Sequence, residues 1–104
     1  MFLYATHDGG TTWTFAPAPA GAADVEVVDA GYEVALVTDG RLMASSDDGR
    51  HWTLIGQHRE LAGATIHPQY LDRNHAFFLV TSVAAAGHVD LYSTDDGGKT
   101  LTRP

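Results

Sequence analysis

The 104-residue sequence contains no cysteine, so neither a disulfide framework nor a thiolate metal site is open to it. Basic residues are scarce: six Lys and Arg stand against thirteen Asp and Glu, for a formal net charge of -7. A surface of that sign repels phosphate backbones and acidic headgroups, which argues against nucleic acid and anionic membranes as partners. No apolar run approaches the ~20 residues that a membrane span needs, so no membrane insertion is expected. The start, Met1-Phe2-Leu3-Tyr4-Ala5, lacks the basic stretch and long apolar segment of a signal peptide. These residues assign no compartment. With 44% hydrophobic residues the chain has the means to bury a core, and eleven glycines suit short strands joined by tight turns.

A repeated pattern organises the sequence. Thr6-His7-Asp8-Gly9-Gly10-Thr11-Thr12-Trp13, Ser45-Ser46-Asp47-Asp48-Gly49-Arg50-His51-Trp52 and Thr94-Asp95-Asp96-Gly97-Gly98-Lys99-Thr100-Leu101 share one order. It reads hydroxyl, x, Asp, x, Gly, x, Thr or His, large apolar. The preceding residues agree too: Leu3-Tyr4-Ala5, Leu42-Met43-Ala44 and Leu91-Tyr92-Ser93. The composition predicts roughly 0.15 chance matches to hydroxyl-x-Asp-x-Gly, so three spaced matches are a genuine repeat. The chemistry is that of a hairpin corner. Asp accepts backbone N–H bonds from about two residues ahead, Gly takes positive φ, and the large residue opens the next strand.

Spacings of 39 and 49 residues between boxes suit four-stranded repeats. The segments between them show no 3.6-residue periodicity. The expected strands are Phe2–Thr6 and Thr12–Phe15, then Asp24–Asp29, Glu33–Thr38, Arg41–Ser45 and His51–Ile55. Ala64–His67, Ala76–Val83, Val89–Ser93 and Thr100–Thr102 follow. Asp39-Gly40 predicts a two-residue type I′ hairpin, residues 16–21 an inter-blade linker, and residues 67–75 a long loop. The fold class is therefore all-β: a partial β-propeller of four-stranded antiparallel meander blades, about two and a half of them. Residues 1–15 form the outer strands of an incomplete blade, and residues 16–56 and 57–104 form complete ones. That strand count predicts a piece of a larger protein, with open blade edges through which it self-associates.

On Thr6/Asp8/Gly10/Thr12/Trp13, Ser45/Asp47/Gly49/Trp52 and Thr94/Asp96/Gly98/Thr100, the chain resembles the Asp-box (bacterial neuraminidase repeat) propeller family. His51 stands where Thr is usual and Leu101 where Trp is usual. The resemblance covers nearly the whole chain and implies blades, without implying one chemistry. Its members include sialidases, xyloglucanase-type hydrolases, sortilin-like receptors and photosystem II assembly factors.

Candidate chemistry is thin. Asp47-Asp48 and Asp95-Asp96 read as turn brackets, because so short a corner offers too few ligands for calcium. The six histidines form no H-x-H or H-x-x-x-H pair, so no metal site is expected. A sialidase-type site requires an arginine cluster, a Tyr–Glu nucleophile pair and a general acid. Arg41, Arg50, Arg59, Arg73 and Arg103 lie in no matching motif, and two facing carboxylates cannot be placed. Trp13, Trp52, Tyr4 and Tyr92 read as hairpin packing. No catalytic residue and no cofactor is expected. A meander puts the boxes on one face, and the opposite face carries Asp39-Gly40, Ala84–His88, the Pro/Ala linker and Gln57-His58-Arg59-Glu60. That last loop is the candidate contact patch. The expected function is a non-catalytic module that binds protein or glycan, or acts as a scaffold. The alternative is a piece of a sialidase-like or xyloglucanase-like hydrolase with its catalytic residues in other blades.

Overall fold

Alternating apolar and polar residues, punctuated by Gly-containing turns, give nine strands among the described residues, and no α-helix. The computed structural model describes residues 2–6, 8–29, 31–81 and 89–103. The strands are β1 (Phe2–Ala5), β2 (Thr14–Pro17), β3 (Ala22–Asp29), β4 (Tyr32–Val37), β5 (Arg41–Ser45), β6 (Thr53–Gln57), β7 (Thr65–Tyr70), β8 (Ala76–Thr81) and β9 (Val89–Thr94). One 3-10 turn, Arg59–Leu61, follows β6. The chain is all-β. It forms a β1-β2 hairpin, a four-stranded meander β3-β4-β5-β6 and a three-stranded meander β7-β8-β9, all antiparallel.

Several boundaries differ from the sequence reading. Pro17, expected in a linker, ends β2 opposite Phe2, a terminal position where a missing N–H is tolerated. Pro68, expected in a loop, sits inside β7 opposite Phe78. That works because β7 is an edge strand and its unpaired side needs no donor. The long loop thereby shortens to 71–75. Asp39-Gly40 is not a type I′ pair, since of Thr38, Asp39 and Gly40 only Gly40 has positive φ, at 90°. Leu36 pairs with Leu42, and the Gly40 N–H donates to the Val37 carbonyl at 2.9 Å. Three residues therefore span the corner, a turn closed by a left-handed glycine. The expected strand over Thr100–Thr102 is reduced to one bridge, Ser93↔Thr102, with both hydrogen bonds at 2.8 Å. The end of the strand predicted to reach Val83, the Ala84–His88 loop, and His7 lie outside the described residues.

The second and third sheets pack face to face. Leu36 and Leu42 from one, with Ala76, Phe78, Val80 and Tyr92 from the other, form the main buried cluster, and Leu61 of the 3-10 turn closes its side. The second sheet is buried on both faces: on the side away from the third sheet, Glu33, Ala35, Val37 and Ser45 are all buried. The β1-β2 hairpin is the remaining described element able to cover that side, and its Ala16 is buried. In β6 an extra residue enters between the Leu42–Gly56 and Met43–Leu54 pairs, a bulge that places Ile55 against the cluster.

Candidate functional site

The three boxes share one set of hydrogen bonds. In each, the leading hydroxyl donates to the Asp carboxylate two residues on and accepts the glycine N–H four residues on. Thr6 to Asp8 is 2.9 Å, Ser45 to Asp47 2.8 Å and Thr94 to Asp96 2.7 Å. The N–H groups of Gly10, Gly49 and Gly98 reach those hydroxyls at 3.0, 2.8 and 3.0 Å. The carboxylate then accepts the backbone N–H of Thr12, His51 or Thr100 at 2.9–3.0 Å. The carboxylate thus reaches four residues ahead, farther than the sequence suggested, because the glycine lets the chain fold back over it. His51 fits the Thr position for a plain reason: its Nδ1 lies 2.5 Å from Asp47, as do the Thr12 and Thr100 hydroxyls from Asp8 and Asp96. Trp13 Nε1 donates to the Gly10 carbonyl at 3.0 Å. Trp52 is half-buried, with its indole N–H unpaired among the described residues.

These bonds hold the box carboxylates in the ionised form. Asp8 is lowered from 3.8 to about 2, first by the Thr12 hydroxyl, then by its backbone N–H. Asp47 lies well below the usual carboxylate range because of the His51 ring and N–H, and Asp96 because of the Thr100 hydroxyl and N–H. A folded value below the unfolded one means stabilisation that is full above about pH 4 and lost as pH falls through the folded values. The urea midpoint is therefore expected to hold level from about pH 7 to 5 and to drop below about pH 4. Asp47→Asn with Asp96→Asn should flatten that drop.

Burial grades the same bracket differently in the three boxes. The Gly49 and Gly98 N–H bonds are buried, whereas that of Gly10 is exposed to water. Removing a hydroxyl that satisfies a buried donor costs about 1–3 kcal/mol, while water replaces it at an exposed one. Urea denaturation of Ser45→Ala and Thr94→Val should show losses in that range, and Thr6→Val a loss of about 0.5 kcal/mol or less.

The third box also joins the two large sheets. Its Gly98 carbonyl lies 2.6 Å from His58 Nε2 across the junction, while its Gly97 N–H ties the box to its own sheet, donating to the Asn74 carbonyl of the β7–β8 loop at 2.9 Å. A separation of the boxes from the Gln57–Glu60 loop onto opposite faces does not hold at this junction, because the turn lies against the face of β6 beside Gly56. His58 is consequently a bracket, with its N–H bound to the Gly40 carbonyl as well. Gln57, Arg59 and Glu60 remain exposed.

Sequence reading missed a second clasp. Arg73 donates through Nε and a terminal nitrogen to both oxygens of Asp29, each at 2.9 Å, with its guanidinium 4.6 Å above the Tyr32 ring. The pair is half-exposed and screened by solvent; it ties the end of β3 to the β7–β8 loop, 44 residues apart.

A cleft of about 470 Å³ opens between β3, β4 and β7, with Leu36, Leu61 and Ile66 as apolar wall and Asp24, Thr38 and His67 among its polar groups. Beside Asp24 on the same face of β3, Glu26 is raised by burial and then by the Asp24 charge. Tyr70 is raised too, by burial first and then by Tyr32 and Glu26, and its buried hydroxyl has no hydrogen-bond partner among the described residues. Alternation of Asp24 and Glu26 along a strand was visible in the sequence; which face they take was not. Among the described residues, no group of three or more His, Asp or Glu side chains is placed to hold a metal ion, and no helix is long and apolar enough to cross a membrane. No protein-family model matches the sequence, and no curated protein matches it.

Proposed function

We propose that the chain is a run of Asp-box propeller blades, part of a non-catalytic module that binds a protein or glycan or serves as an assembly scaffold. The observation that carries this reading is the identical bracket of the three boxes. In each, a carboxylate is held ionised by donors of its own turn, as a structural corner requires and a general acid does not. Two sheets that stack through the third box, with Arg73 clasping Asp29 alongside, fit successive blades about an axis. The cleft beside Asp24 and the exposed Gln57, Arg59 and Glu60 are the candidate contact points.

The alternative, a piece of a glycoside hydrolase, draws on one observation: Glu26, on the same face of β3 as Asp24, has its carboxyl raised by burial and then by the Asp24 charge. Incubation with fluorogenic sialosides and with xyloglucan separates the two readings. The binding-module reading expects no release above buffer; turnover abolished by Glu26→Gln would overturn it in favour of the hydrolase.

A further inference from the structure

Two carboxylates on β3 stand apart from the others. Asp8, Asp47 and Asp96 are held by donors of their own turns, and Asp29, Asp39 and Asp90 by arginines. Asp24 accepts only the Val25 N–H, at 2.9 Å, and neither it nor Glu26 has a cation beside it among the described residues. Both are nevertheless half-buried. They alternate onto one face of β3, the face that carries Val34 and Leu36 on β4. Like charges side by side at half burial repel, which is visible in the raised Glu26 carboxyl, and a cation between them relieves that repulsion.

The cleft beside them supplies an apolar seat. At about 470 Å³ it falls within the ~300–1,000 Å³ usual for ligand clefts. Leu36, Leu61 and Ile66 make its wall aliphatic. No aromatic ring lines it among the described residues, so a sugar finds no face to stack on. Two carboxylate side chains also fall short of the six to eight oxygens that calcium takes. Both walls of the cleft belong to described elements, β3 and β4 on one side and β7 with the 3-10 turn on the other. The complement of such a seat is an aliphatic stem that ends in a compact positive charge, the chemistry of lysine. β3 is moreover an edge strand paired only with β4, so a polypeptide beside it meets backbone N–H and C=O groups outside the ladder. The net charge of -7 draws a basic partner toward it.

We propose that this cleft takes a lysine side chain of a partner protein, with the stem along Leu36, Leu61 and Ile66 and the ammonium between Asp24 and Glu26. The proposal rests on the binding-module reading and gives that reading its ligand chemistry.

Amide shifts of the ¹⁵N-labelled 104-residue chain, followed as acetyl-Val-Lys-Val-amide is added, test it. Saturable shifts are expected at Val25, Leu36, Ala64 and Ile66, with a Kd of about 0.1–10 mM. Added salt should weaken this binding. The norleucine peptide keeps the stem without the charge, and n-butylamine keeps the charge without the backbone. Each should bind about tenfold more weakly or worse. Asp24→Asn/Glu26→Gln should lose about tenfold or more, at an unchanged or higher urea midpoint. Glu60→Gln, exposed and outside the cleft, should bind like the wild type. If circular dichroism shows the double variant to be unfolded, the norleucine comparison on the wild type decides alone. Absence of shifts, equal binding of the norleucine peptide or of n-butylamine, or undiminished binding by the folded double variant would each overturn the proposal. A silent titration would do so without touching the binding-module reading, which the sialoside and xyloglucan assay tests separately.

Discussion

Phe78→Ala is expected to cost about 3–5 kcal/mol, the largest loss from any single side-chain truncation in the chain. Phe78 is 0% exposed and is the largest fully buried side chain among the described residues. It pairs across strands with Pro68 on β7 and Tyr92 on β9, and its ring meets Tyr70 edge-on at 5.8 Å. Truncation removes transfer energy and leaves a cavity between two sheets, each held by its own ladder and unable to collapse inward freely. A chain of this size has about 5–15 kcal/mol in all, so the variant should unfold at a much lower urea concentration or be unfolded in buffer. Phe77→Ala is the matched control: one residue away, on the open face, it should lose about 1 kcal/mol or less. Equal losses at the two positions would contradict the burial pattern.

Gly40→Ala should cost about 2–5 kcal/mol through the backbone, combining about 1–2 for the left-handed conformation with about 1–3 for steric displacement. Gly40 has φ of 90°, and a Cβ there would lie 2.2 Å from the His58 carbonyl oxygen, a backbone atom that cannot swing aside. The displaced segment is the one whose His58 ring holds the Gly98 carbonyl, so the strain should reach the contact between sheets. Gly31→Ala isolates the conformational part. Its φ is 86° and a Cβ meets nothing within 4 Å, so about 1–2 kcal/mol is expected there. Urea titration of both variants measures the difference; a Gly31 variant as unstable as the Gly40 variant would remove the steric explanation.

The strand order and the corner turns were legible in the sequence because the interactions that make them are short. Every bond internal to a box spans four residues or fewer, from Thr94 to Gly98 or from Asp96 to Thr100, so residue types at fixed offsets suffice to write them. Arg41–Ser45 was placed to the residue, since its ends are fixed by a glycine turn on one side and a box on the other. Reading failed where pairing chose between local options. Asp39-Gly40 fits a two-residue hairpin by composition, yet β4 ends at Val37 and β5 begins at Arg41, which leaves three residues to span the corner. Pro68 and Pro17 looked like breaks until the strands carrying them took positions at which no N–H is needed.

By itself, the sequence determined an all-β chain, three equivalent Asp-bracketed corners and the absence of any thiol chemistry. Tertiary structure alone decided which face of each strand is dry, and so put Asp24 and Glu26 beside a cleft and left Phe77, Leu79 and Leu91 open. It also decided that His58 meets Gly98 and Arg73 meets Asp29, pairs 40 and 44 residues apart. The physical reason is the period of two in a strand. Alternation tells that two faces differ, and only the neighbour that packs against one of them tells which is inside.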